Sequence, residues 1–134
     1  MNTTTITTTT TSTSYTGIVI TKESRDLLLS MVRIPAGWEV IAHHTTMNMG
    51  PCKDHVLVGS EQEVIVTAIC QDNELGVLAV RVMTDIYSDN AIKHITVAID
   101  RNAGAKPFHS NKIPSGKFQM VQPIRLLGVV EEVP

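Results

Sequence analysis

Residues 92–99 read IKHITVAI, and their apolar and polar side chains alternate along the chain. Such alternation is typical of a β-strand, in which successive side chains point to opposite faces of the sheet. Ile95 and Val97 then share an apolar face that we expect in the core. His94 and Thr96 share the other face. The strand therefore presents an imidazole and a hydroxyl together on its open side.

A second stretch, residues 40–49, reads VIAHHTTMNM and also favours a strand. In the register that we prefer, the core side carries Ile41, Met47 and Met49, and the open side carries His44, Thr46 and Asn48. This register brings the larger apolar side chains together. A slip of one residue would expose His43 and Thr45 instead. In the preferred register we expect the ring of His43 to be buried behind the sheet, where it needs a hydrogen-bond partner.

The two motifs, at residues 44–46 and 94–96, resemble the paired His-x-Thr signature of the 2H phosphoesterase superfamily. The resemblance extends over most of the chain, from Tyr15 to Val133. It implies an α+β fold of two similar lobes, with mainly antiparallel β-sheets around a groove and one clear N-terminal helix. The second motif has the apolar middle residue that the family often shows, Ile95, whereas the first has Thr45 in its place.

The resemblance also implies a catalytic site, made of His44, Thr46, His94 and Thr96. The expected function is a metal-independent phosphodiesterase that acts on a 2′,3′-cyclic nucleotide or on the cyclic phosphate of an RNA end. One alternative is a nuclease for cyclic di- or oligonucleotide signals, of the viral anti-defence type. A nucleotide-binding module without turnover is another. In the last alternative, the protein is a β-rich domain in which both motifs are coincidental.

The residue types suit this chemistry. An imidazole titrates near neutral pH, so one histidine can take a proton from water while the other gives one to the leaving oxygen. The hydroxyls of Thr46 and Thr96 can donate to the nonbridging phosphate oxygens. No cofactor is needed, and the sequence offers no metal-ligand set: His43 and His44 are adjacent on a predicted strand, and carboxylates do not cluster near them.

Length and composition indicate a single domain over residues 15–134, with enough apolar residues (43%) for one core. A net charge of −2 gives no general attraction to nucleic acid or to an anionic membrane, which favours a small nucleotide or one RNA end over long RNA. The two cysteines, Cys52 and Cys70, form no metal motif, so we expect reduced thiols and a cytoplasmic protein. No apolar run is long enough to span a membrane.

Residues 1–14 are almost entirely Thr and Ser. A tract this polar cannot bury enough surface to order itself, so we expect a disordered tail. The alternative is an arm that adds a strand to a neighbouring subunit.

The remaining elements follow from periodicity and turn residues. Thr21 is placed to cap a helix over residues 22–32, whose apolar stripe includes Leu28. The other predicted strands cover residues 15–21, 63–70, 75–82 and 124–131, with a hairpin turn at 71–74. Residues 100–117 contain two glycines and two prolines and are expected to be irregular.

Basic residues are concentrated between residues 91 and 125, where Asp100 is the only acid. Such a segment is either a solvated loop or a phosphate-holding loop over the site. On the second interpretation, the segment contributes four substrate-binding residues, Lys106, Ser110, Asn111 and Lys112. Two more are predicted at the first motif strand: Asn48 on its open side and Trp38 at its entrance. For Trp38, packing in the core competes with a role as a base-stacking platform.

Overall fold

The computed structural model describes residues 12–134. Within this range the chain forms one α-helix and seven β-strands. They are β1 (Tyr15–Ile20), α1 (Lys22–Met31), β2 (Glu39–Val40), β3 (His44–Met49), β4 (Glu61–Asp72), β5 (Val77–Met83), β6 (His94–Ile99) and β7 (Gln119–Val133). A tail was expected over residues 1–14, and its first eleven residues lie outside the described range. Ser14 is already tied to the sheet, since its amide donates to the carbonyl of Val133 at 2.8 Å.

All strand pairs are antiparallel, and they follow the order β2-β6-β3-β1-β7-β4-β5. A further pairing of β5 with β6 closes the series from β6 to β5 into one barrel of six strands, and the short β2 lies outside this ring, paired with β6. Closure gives each of the six strands a neighbour on both sides, which removes the open edges of a sheet.

The predicted two-lobed α+β fold is therefore wrong. The two motif strands do not belong to separate lobes, because β3 and β6 pair directly, with Thr45 opposite Ile95. Strands are the main regular structure of the described residues, which contain a single α-helix. The physical reason for the error is that alternation shows that a segment is a strand but does not show with which distant strand it pairs.

The helix begins and ends close to the predicted positions. The hydroxyl of Thr21 accepts from the amide of Ser24 at 3.1 Å, which satisfies one of the free amides of the first turn. The helix ends at Met31, because Val32 has extended backbone angles. Leu28 is fully buried against the barrel core, and Ser24 accepts a hydrogen bond from the amide of Leu127 in β7.

The core fills the barrel with side chains from alternate strand positions. Its fully buried members include Ile18, Val64, Val80, Ile95, Val97, Leu126 and Val130. The predicted strands at 63–70, 75–82, 92–99 and 124–131 correspond to β4, β5, β6 and β7. Among the helices of residues 12–134, none has the length and apolar character needed to cross a membrane.

The first motif strand is shorter than predicted. Glu39–Val40 pairs with β6 as a separate short strand, and β3 begins only at His44. Between them Ala42 has a φ of 39°, a left-handed conformation that non-glycine residues rarely adopt. The chain therefore turns immediately before the motif, and strand alternation does not apply to His43.

Candidate functional site

A pocket of about 220 Å³ opens where β3 and β6 lie next to residues 107–111. It is lined by all four predicted catalytic side chains, His44, Thr46, His94 and Thr96. Its apolar wall is formed by Ile41, Met49, Pro107 and Phe108. Depressions of about 400 and 440 Å³ elsewhere on the described surface are not lined by a histidine. A further depression of about 300 Å³ shares Asn90, His94 and Asn111 with this pocket.

The ring of His44 is held by side chains on three sides. The ring of Tyr15 stacks on it with a centroid distance of 4.4 Å, and the Tyr15 hydroxyl lies 3.4 Å from its Nδ1. Nδ1 of His43 lies closer to the same atom, at 2.9 Å. On the opposite edge of the ring, Nε2 is 3.1 Å from Oγ1 of Thr46. Both nitrogens of His44 are therefore engaged before any ligand binds.

Gly17 on β1 leaves the space that this ring occupies. A Cβ at this position would lie 3.1 Å from Cδ2 of His44 and 2.9 Å from the carbonyl oxygen of Thr45. Both distances are shorter than ordinary van der Waals contacts, so any larger residue would displace the ring or the strand.

His94 is held by the backbone instead. The side chain is 9% exposed, and its Nδ1 lies 2.8 Å from the carbonyl oxygen of Ile92. A carbonyl oxygen only accepts, so Nδ1 must carry the proton. The neutral ring then has an unprotonated Nε2, which is the form required of a general base.

The two threonines also differ. Thr96 is 9% exposed, and its hydroxyl lies 2.8 Å from Oγ of Ser110 while it donates to the carbonyl of Pro107 at 3.3 Å. Its proton is thus already used to hold residues 107–110 against β6. Oγ1 of Thr46 can accept from Nε2 of His44 and still direct its own proton into the pocket.

Burial sets the charge state of both imidazoles. Burial and, to a smaller extent, the nearby imidazoles of His43 and His94 together lower the pKa of His44 to about 4. Burial also lowers the pKa of His94, while the carbonyl of Ile92 acts in the opposite direction. Both rings are therefore neutral at neutral pH in the empty site.

The predicted substrate-binding residues are divided between the pocket and its surroundings. Asn111 lines the pocket, and Ser110 lies directly behind it as the partner of Thr96. Lys106 and Lys112 are exposed and do not line the pocket. Trp38 packs, partly buried, against the barrel core, as in the first of its two interpretations.

Asn48 lies outside the pocket because β3 contains a bulge. Thr16 pairs with Asn48 and Gly17 with Thr46, so Met47 is an extra residue in the ladder. Asn48 is 3% exposed, and its amide donates to the carbonyls of Met49 and Pro51 at 2.8 Å each. Met49 was expected in the core but is 73% exposed and lines the pocket.

His43 is exposed and not buried as expected. The left-handed turn at Ala42 removes it from the strand, so it lies beside the ring of His44 instead of on the far side of the sheet. His44 with Thr46, rather than His43 with Thr45, thus lines the pocket, and Thr45 is 2% exposed on the core side.

Sequence reasoning missed several pocket residues. Tyr15, Asn90 and Phe108 come from β1, from the loop before β6 and from the 3₁₀ turn Pro107–Lys112. Only Phe108 had a signal, as an aromatic residue in a basic, proline-containing segment. In the structure its side chain is 56% exposed.

The basic segment is partly neutralised by acids of the barrel. Arg101 pairs with Glu39 at 2.7 Å, and Lys117 pairs with Asp72 at 3.1 Å. Within the described part of the chain, no lysine or arginine lines the histidine pocket. No group of three or more His, Cys, Asp and Glu side chains in residues 12–134 is placed to hold a metal ion.

Comparisons with known proteins give no relative. No protein-family model, no curated protein and no solved structure matches the chain.

Proposed function

We propose that the protein is a metal-independent phosphodiesterase that opens the cyclic phosphate of a nucleoside 2′,3′-cyclic phosphate or of an RNA end. The observation that carries the proposal is the convergence of His44, Thr46, His94 and Thr96 on one pocket. Two imidazoles on the same pocket can act as base and acid on one phosphorus, and each such transfer typically contributes about 10² to 10⁴ in rate.

The lining of the pocket favours a substrate with one phosphodiester. A volume of about 220 Å³ suits a cyclic phosphate and part of a nucleoside. Long RNA is bound mainly through many neutralised phosphates, which requires lysines and arginines. The described lining of this pocket contains neither.

From the resemblance to 2H phosphoesterases we take only the two His-x-Thr motifs and the reaction that they imply. The two-lobed fold of that family is not part of it. Both cysteines are free thiols, which fits a reducing compartment, and we place the reaction in the cytoplasm.

The second candidate, binding without turnover, is favoured by one observation. The lowered pKa of both histidines leaves neither ring charged in the empty site, so no proton is ready for the leaving group on either ring. An anionic phosphate raises the pKa of an adjacent imidazole, which opposes this effect in the complex.

The test is turnover of a substrate panel in the presence of EDTA. The panel contains the four nucleoside 2′,3′-cyclic phosphates, short RNAs with cyclic-phosphate ends and cyclic dinucleotides, and products are resolved by chromatography. We expect one ring-opened monophosphate product from the cyclic-phosphate substrates, and its loss in His94→Ala. The exposed His55, outside the pocket, provides the matched control His55→Ala, which should retain the parent rate.

Tight binding of a cyclic nucleotide without product over the whole panel would support the binding module instead. Activity that is lost on chelation and restored by a divalent ion would contradict the mechanism.

A further inference from the structure

The two adjacent histidines at the start of β3 form a contact that the two-histidine mechanism does not require. Nδ1 of His43 and Nδ1 of His44 are 2.9 Å apart, a hydrogen-bond distance. One of these atoms must carry a proton and the other must accept it. His43 is exposed, whereas His44 is half-buried in the pocket. A charge is therefore much less costly on His43 than on His44.

The other edge of His44 indicates which atom carries the proton. Its Nε2 lies 3.1 Å from Oγ1 of Thr46, a group that can accept from an N–H. With the proton on Nε2, Nδ1 is free to accept from His43. This is the opposite tautomer to that of His94, in which the carbonyl of Ile92 requires the proton on Nδ1.

We propose that His43 and His44 form a proton relay, in which the exposed His43 holds the positive charge and His44 passes a proton to the leaving oxygen, while His94 is the base. The relay rests on the proposed function, and it assigns different roles to the two histidines of the pocket. His43 acts through His44 and does not contact the substrate.

A water oxygen bonds to phosphorus, and its proton goes to Nε2 of His94. The bond from phosphorus to the leaving ribose oxygen breaks, and that oxygen takes the proton from Nε2 of His44. At the same time the Nδ1 proton of His43 moves to Nδ1 of His44. His44 stays neutral throughout, His43 changes from imidazolium to imidazole, and His94 becomes charged.

The return step restores the starting state. After the product leaves, the Nε2 proton of His94 is passed through the emptied pocket to Nε2 of His44, and the Nδ1 proton of His44 returns to His43. A His44 ring with a pKa of about 4 is rarely protonated at neutral pH. The relay does not require this charge, because His44 stays neutral throughout the step.

The leaving group provides the test. A ribose oxygen needs a proton in order to leave, whereas p-nitrophenolate leaves without one. We compare the parent, His43→Ala, His43→Gln and His55→Ala on cytidine 2′,3′-cyclic phosphate and on thymidine 5′-p-nitrophenyl phosphate. We expect both His43 variants to lose about 10²-fold or more in kcat on the cyclic substrate and to retain the parent rate on the p-nitrophenyl ester. His55→Ala should be unchanged on both.

Four results would overturn the relay. Equal losses on both substrates would mean that His43 only maintains the shape of the site. A normal rate for His43→Gln, which can donate a hydrogen bond but cannot transfer a proton, would mean that His43 only orients the ring. Unchanged kinetics in both variants would remove His43 from the mechanism while leaving the proposed phosphodiesterase intact. A parent without turnover on either substrate would overturn the proposed function and the relay together.

A second measurement does not depend on turnover. Nitrogen-15 NMR of the histidine rings in the free protein reports which nitrogen carries each proton. We expect Nε2–H for His44 and Nδ1–H for His94, and a change of the His44 signal in His43→Gln. A His44 ring with its proton on Nδ1 in the parent would contradict the relay.

Discussion

In β3 the ring of His44 is held by the side chains of Tyr15, His43 and Thr46, whereas in β6 the ring of His94 is held by a backbone carbonyl. The threonines of the two motifs also lie in different surroundings. Thr46 faces an open pocket, while the hydroxyl of Thr96 is bound to Ser110 and to the carbonyl of Pro107. Two motifs that match in sequence are thus embedded in unlike surroundings. Matching residues need not perform equal tasks, and the following predictions test how far the difference extends.

The largest effect is expected from loss of either ring. His44→Ala and His94→Ala should each lower kcat on a nucleoside 2′,3′-cyclic phosphate by about 10² to 10⁴. The double variant should be little slower than either single one, because groups that act in one step are not additive. Steady-state kinetics of the three variants measure this. Full multiplication of the two losses would mean that the rings contribute independently and do not act as a unit.

Substitution of the two threonines should affect different properties, the rate at Thr46 and the stability at Thr96. Thr46→Ala removes a pocket hydroxyl and should lower kcat by about 10² to 10³ at most, with little change in thermal stability. Thr96→Ala leaves Ser110 without its hydroxyl partner and should lower the free energy of unfolding by about 1 to 3 kcal/mol. Thr96→Ser is the matched control and should restore most of that stability. Equal behaviour of the two alanine variants would make the motifs equivalent.

Gly17 and Gly128 provide a test of the space around His44. A Cβ at Gly17 would meet the His44 ring, whereas one at Gly128 would meet Cγ2 of Ile18 at 2.7 Å, on the core side. Both alanine variants should lose stability by about 1 to 3 kcal/mol through overpacking. Gly17→Ala should in addition lose most of its activity. Parent-like kcat in Gly17→Ala, measured below its melting temperature, would show that the ring position is not critical.

The middle residues of the motifs differ in a way that affects only stability. Oγ1 of Thr45 is buried without a hydrogen-bond partner in the described part of the chain, whereas the equivalent position in β6 is Ile95. Thr45→Val keeps the shape of the side chain and removes the unsatisfied hydroxyl. The free energy of unfolding should therefore rise by about 1 to 2 kcal/mol. Chemical denaturation measures the change. A loss of stability would indicate that the hydroxyl has a partner in solution.

The lowered pKa of His44 predicts a pH dependence of folding. The unfolded chain binds a proton near pH 6.5, but the folded protein does so only near pH 4, so the free energy of unfolding should fall as the pH falls from about 6.5 to 4. Above this window the contribution is constant. His44→Gln should flatten the dependence in denaturation curves recorded from pH 7 to pH 4, and His55→Gln should not.

Several features followed from local sequence. Alternation located β4, β6 and β7, and Thr21 located the start of α1, because these signals depend on neighbours within one turn or one strand. The choice of His44 and Thr46 over His43 and Thr45 also agrees with the pocket lining. Two features within a few residues were nevertheless missed, the left-handed Ala42 and the β3 bulge at Met47. Neither has a sequence signature strong enough to outweigh an alternating pattern.

The sequence by itself thus determined where most of the strands lie and selected the two histidines, His44 and His94, that line one pocket. Only the tertiary structure decided that β3 and β6 are neighbours in a closed barrel, that Tyr15 and Phe108 reach the same pocket, and that His43 lies against His44. The physical reason is that strand pairing and pocket lining are contacts between residues far apart in the chain. Such contacts depend on how the whole core packs, and no local periodicity encodes them.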